Sequence, residues 1–137
     1  MDRFIAHILA ALREHGARAV RVFPAPAGVP LAFAERLAND VIGEYIAPLL
    51  TRAREVSNEA YLKAAAASFA QAWTMVSVLL ELAQGQVGKE RAEDVVYRMF
   101  EVNMDEYLDE EVESLKQAFD VIVKTWSKSV SRLLVVL

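Results

Sequence analysis

Residues 105–137 read DEYLDEEVESLKQAFDVIVKTWSKSVSRLLVVL. The apolar positions Leu108, Val112, Leu115, Phe119, Ile122 and Trp126 alternate intervals of four and three, and Leu133 lies one interval of seven beyond. This periodicity places one apolar stripe along one side of an α-helix. The last five residues, Leu133, Leu134, Val135, Val136 and Leu137, carry no polar side chain. Terminal residues of a self-contained domain are usually polar and frayed. The ending therefore predicts a continuation of the chain or a partner that covers it. Leu133, Leu134, Val136 and Leu137 are the apolar candidates for that interaction.

Working back from this segment, the same spacing recurs. A helix is predicted over about residues 2–15, with Phe4, Ile5, Ile8, Leu9 and Leu12 inward and Gly16 as its stop. Residues 17–30 are predicted to be extended, because Pro24, Pro26 and Pro30 exclude a regular helix near them. Val22 and Phe23 are expected to pin this segment to the core. Pro30 suits the first turn of a second helix, about residues 31–54. Its stripe is Phe33, Leu37, Val41, Ile42, Tyr45, Ile46 and Leu49, and Pro48 predicts a kink or break near residues 43–48. Ser57 or Asn58 caps a third helix reaching about Ala83. Its alanine run, Ala64 to Ala67, permits close approach by a neighbour. Gly85 and Gly88 mark the next turn. A fourth helix covers about residues 89–103, with Val95, Val96, Met99 and Phe100 buried. Asp105 starts a fifth, or the two run on with a bend. No strand alternation and no internal repeat appear. The fold class is all-α, a bundle of about five helices in a single unit over 1–137.

Composition narrows the function classes. Apolar residues make up 55% of the 137, above the usual range of about 45–50%. The surplus lies in alanine and in helical stripes. No uninterrupted apolar run approaches the roughly 20 residues of a membrane span. There is no cysteine, which excludes disulfides and thiolate metal sites. Net charge is −4, distributed unevenly. Residues 1–23 hold four arginines against two acids, and residues 86–137 hold eleven acids against seven bases. A nucleic-acid binder needs a basic face with aromatic platforms; four arginines within the first 23 residues read as a solvated helix face instead.

Three groups of residues invite a chemical reading. Asp105, Glu106, Asp109, Glu110, Glu111 and Glu113 form an acidic cluster. It reads as a helix start whose carboxylates complement the N-terminal dipole. The rival reading is a cation site or a docking patch for a basic partner, with Asp109, Glu110 and Glu113 as the candidates. A calcium loop is excluded, since no turn glycine lies inside the ligand run. His7 and His15 lack a third ligand and a positioned carboxylate. Trp73, Trp126, Phe69, Tyr61 and Tyr97 are aromatics at helical spacing and read as core, with Trp126 as an anchor of the last helix. No phosphate loop, no Ser/His/Asp pattern and no H-E-x-x-H is present, so no catalytic residue, metal or cofactor is assigned.

The order of motifs carries a further signal. HGARAVRVFP at residues 15–24 precedes a helix, followed by EYIAPLL at 44–50, EAYLKA at 59–64, Met99-Phe100, and YLDEEVESL at 107–115. This order resembles the middle of the helical region shared by recyclins and the Sec-ten-type subunit of the exocyst, over about residues 15–128. The resemblance implies a non-enzymatic segment of a longer helical rod acting in vesicle tethering or endosomal recycling. It implies protein partners, namely other tethering subunits and Rab-type GTPases. It also implies a cytoplasmic location, peripheral on endosomal or secretory membranes through those partners. Fungal recyclins carry an F-box, which this chain lacks. The alternative reading is an independent small helical homodimer with a scaffold role, its interface the C-terminal stripe.

Overall fold

A computed structural model describes residues 2–136. The elements in order are α1 (Asp2–Val22), a 3-10 turn (Ala25–Ala27), α2 (Val29–Arg36), a π-helical segment (Leu37–Gly43), α3 (Glu44–Val56), α4 (Asn58–Ala83) and α5 (Lys89–Val136). There is no strand among the described residues. Because α2, the π segment and α3 form one continuous run, the helical rods are four among the described residues. The expected fourth and fifth helices are one. After Gly88 the sequence contains neither glycine nor proline, so nothing interrupts the backbone ladder between residues 89 and 136.

The helix α4 is the axis of the fold. It packs against α1, α2, α3 and α5. Ser57 caps it: the extended backbone of Ser57 turns its Oγ to accept the Ala60 N–H at 3.0 Å, satisfying one of the donors a helix start leaves open. The helix ends where Gln84 and Gly85 adopt left-handed conformations, φ 46° and 86°. Leu62, Ala65, Ala72, Met75, Val76, Val78 and Leu79 are buried along it. This packing on four neighbours explains its apolarity, although by length and composition alone α4 is apolar enough to cross a membrane.

The first helix does not stop at Gly16. Residues 17–22 contain good helix formers and no proline, so α1 continues to Val22, and the break is confined to residues 23–28. The Phe23 N–H still donates to the Ala19 carbonyl at 2.9 Å. Gly16 serves helix packing instead. A Cβ there would lie 2.9 Å from Leu82 Cδ1, so its absence lets α1 approach α4 closely. The core face of α1 is as expected, with Ile5 and Leu12 buried and Phe4, Ile8 and Leu9 packed on them. Val22 and Phe23 do not pin the core; they are 72% and 50% exposed, since the helix carries them past the end of α4.

The second run shows how sequence spacing shapes a backbone. Its buried residues are Pro30, Ala34, Ala38, Ile42, Ile46 and Leu50, at intervals of four throughout. A straight α-helix has 3.6 residues per turn, so a strict interval of four would rotate that stripe off the core. The wider π-turn at Leu37–Gly43 takes up the difference and keeps all six facing inward. The irregularity thus precedes the expected site at 43–48, and Pro48 lies exposed inside α3.

Candidate interaction surface

The helix α5 is 48 residues long and α4 is 26. At 1.5 Å per residue these are about 72 and 39 Å. The first part of α5 lies on the bundle. Ala92, Val95, Val96 and Phe100 are buried, and Phe69, Trp73, Tyr97 and Phe100 form an aromatic cluster between α4 and α5, with centroid spacings of 5.3–6.1 Å. The surplus of α5 over α4 is 22 residues. That is the span from Leu115 to Val136, in which every residue is exposed.

A polar clasp marks where α5 leaves the bundle. Arg54, in the last turn of α3, pairs with Glu106 of α5, and its guanidinium lies 4.1 Å from the ring centroid of Tyr61 on α4. One side chain thereby ties three helices together. The hydrogen bond that Arg54 donates to the Glu106 carboxylate is the largest influence raising the Arg54 pKa. A step away, burial pushes the Tyr107 phenol up, and the nearby Glu111 carboxylate adds to the shift. Beside the clasp, Leu50, Ala65, Ala66, Phe69, Phe100, Met104 and Tyr107 line an apolar groove of about 260 Å³. Ala65 and Ala66 are members of the expected small-residue run, and their short side chains leave this space.

Arg54 and Glu106 are both partly exposed. We expect Arg54→Ala to cost about 1 kcal/mol, the sum of a solvent-screened ion pair and a surface cation–π contact. Urea unfolding in low and high salt checks this: the loss should shrink with salt for the Glu106 contribution, and Arg54→Lys should recover only part of it.

The sequence-derived candidates separate into two groups. Leu133, Leu134 and Val136 are exposed at the far end of α5; Leu137 lies outside the described residues. The acidic cluster does not begin a helix. Asp105, Glu106, Asp109, Glu110, Glu111 and Glu113 lie in the middle of α5, too far from its first turn at Lys89–Arg91 to meet the helix dipole. Asp109 and Glu113 are exposed, Glu110 is half-buried, and Gln117 Nε2 donates to Glu113 Oε1 at 3.3 Å. Among the described residues, no three acidic or histidine side chains are grouped to hold a metal ion. His7 bonds the Arg3 carbonyl through Nδ1 at 2.8 Å, and His15 meets Phe33 edge-on at 6.2 Å. Both are exposed and far apart in role.

Trp126 is the clearest correction. It is 71% exposed and anchors no intramolecular core. Leu108, Val112, Leu115, Phe119 and Ile122 are likewise exposed. The stripe is helical, as its spacing requires, but among the described residues no other helix extends far enough to cover it. The groove beside Tyr107 was not foreseen; the signal for it was the Ala64–Ala67 run of α4, which faces the larger Phe100 and Tyr107 of α5.

Residues 1–133 match the family model described as exocyst complex component Sec10-like, alpha-helical bundle. The chain belongs to this family. The match covers all four rods and most of the projecting arm, and places the Sec10-like chain among the vesicle-tethering proteins of exocytosis. No curated protein and no solved structure gives a significant match.

Proposed function

We propose that this Sec10-like chain is a non-enzymatic interaction module, one helical segment of a tethering rod that binds other exocyst-type subunits. The observation that supports the reading is the family match over 1–133 combined with a surface built for contact. A rigid bundle offers an apolar groove at its edge and extends a helix beyond its own core. Protein partners of this kind would hold the chain in the cytoplasm, peripheral on secretory or endosomal membranes. Rab-type GTPases are further partners of this class. Asp109, Glu110, Glu113, Leu133, Leu134 and Val136 lie on the projecting helix, and the groove beside Tyr107 lies on the bundle.

The test is recovery of the tagged chain from cells, followed by immunoblotting for the other exocyst subunits. Co-recovery of at least one of them supports the module. Ala66→Arg fills the groove from an exposed position, and is expected to remove co-recovery while leaving the melting temperature unchanged. Absence of every exocyst subunit from the recovered material would refute the reading.

A further inference from the structure

We propose that the arm of α5 pairs with the same arm of a second copy, antiparallel, about a two-fold axis between Asp120 and Val121. The pairing does not depend on the tethering role, and different measurements test the two.

The first observation is periodicity in an exposed helix. Leu108, Val112, Leu115, Phe119, Ile122, Trp126, Ser129, Leu133 and Val136 are separated by four and three without exception. Every apolar member is exposed. A 3.5-residue repeat sustained over four heptads is the pattern of a left-handed coiled coil, whose seam faces another helix. The seam has one polar member, Ser129.

The second observation is charge, and it selects the occupant. Residues 105–113 carry six acids and no base, whereas residues 114–136 carry Lys116, Lys124, Lys128 and Arg132 against Asp120 alone. Asp105–Asp109, Glu106–Glu110 and Asp109–Glu113 are like-charge pairs one turn apart, which weaken an isolated helix. A parallel pair would lay acids on acids. An antiparallel pair lays the acidic start of each arm on the basic end of the other. The arm is therefore complementary to itself in one orientation.

The register follows from the same residues. With the axis between 120 and 121, Leu108 faces Leu133 of the second copy, Val112 faces Ser129, Leu115 faces Trp126, and Phe119 faces Ile122, each layer occurring twice. Glu111 and Arg132 each precede a seam residue, and in this register they flank the seam opposite one another across the two copies. A slide of one heptad toward the bundle would set Lys116 against its own copy and Leu133 against Glu101. In the chosen register Val136 reaches Asp105 of the second copy, beside that copy's Arg54–Glu106 clasp, and the two bundles lie at opposite ends of the pair.

The area suffices. Phe119 and Trp126 are 66% and 71% exposed. Aromatics bury about 150–250 Å² each, so the four in two arms supply on the order of 500 Å². The aliphatic layers supply the remainder of the roughly 1,600 Å² of a standard interface.

The full chain has a mass of 15.3 kDa, and sedimentation equilibrium is expected to give twice that value. Trp126→Glu should raise the dimer dissociation constant about thirtyfold or more, the loss of a central aromatic anchor, with the bundle melting unchanged in dilute solution. Arg132→Glu should also weaken the dimer, and Glu111→Arg added to it should restore affinity. Because the chain has no cysteine, orientation is read by cross-linking. Val112→Cys and Ser129→Cys variants, mixed and oxidised, should join into a covalent dimer, while each alone should not. Self-cross-linking of each variant alone would indicate a parallel pair and overturn the proposal. A monomeric mass throughout a concentration series would overturn it too. So would a monomer that co-sediments with phosphatidylserine vesicles through Trp126, which would make the arm a membrane face.

Discussion

Phe100→Ala is expected to cost about 3–5 kcal/mol of folding stability, whereas Trp126→Ala, on the same helix, should cost less than about 1 kcal/mol. Both residues are large aromatics of α5, Phe100 on the face toward the bundle and Trp126 on the bare stripe. Phe100 is 6% exposed and packs edge-on against Phe69 at 5.3 Å. Its removal leaves a cavity between α4 and α5 that the surrounding rings cannot close. Trp126 projects beyond the end of α4 and loses no intramolecular neighbour. Urea unfolding in dilute protein, where arms are unpaired, separates the two values. Equal losses would mean that the arm folds back onto its own bundle.

Leu79→Ala should lower stability by about 2–5 kcal/mol and the melting temperature by roughly 10–15 °C. Leu79 is fully buried on α4, the helix against which all the others pack, so a cavity there is shared among several elements. Ser77→Ala, exposed on the same helix, should change stability by less than about 0.5 kcal/mol. Thermal unfolding followed by circular dichroism checks both. A Leu79 effect as small as the Ser77 effect would show that α4 is not the organising helix.

Much of the local structure was legible in the residues. Ser57 announces a helix start because its hydroxyl can accept from the backbone three residues on. The spacing of Ile5, Ile8, Leu9 and Leu12 marks the inward face of α1. Residues 17–22 were misread because the prolines that follow were allowed to break more chain than they touch; a proline excludes helix at its own turn and immediately before it, not seven residues earlier. The acidic cluster was misread for a similar reason. Asp105 is a good cap residue, but a cap needs a break before it, and no glycine or proline lies between Lys89 and Leu137. The π segment was hidden because it follows from a constant interval of four in residues as small as Ala34 and Ala38, which a search for large apolar side chains passes over.

The candidate surface was legible as a list of residues and illegible as a surface. Leu133, Leu134 and Val136 lie on the last helix near its far end, whereas Asp109, Glu110 and Glu113 lie in its middle and not at the helix start their clustering suggested. The clasp of Arg54, Glu106 and Tyr61 was not foreseen, because Arg54 and Glu106 are separated by 52 residues and no local pattern relates them. The groove beside Tyr107 depends on the same long-range packing.

What the sequence determined by itself is that this chain is helical, where its helices begin and end to within a few residues in most cases, and which face of each is apolar. Those properties depend on propensities, caps and breakers acting over one or two turns. Which apolar face is covered was decided by tertiary structure alone. The face through Val95, Val96 and Phe100 and the stripe through Phe119, Ile122 and Trp126 are both apolar and sit on the same helix. One is core and the other is bare, because α5 is 48 residues long and the helix it packs on is 26. Burial requires a neighbour at the right distance, and the length of the neighbour is not written in the stripe.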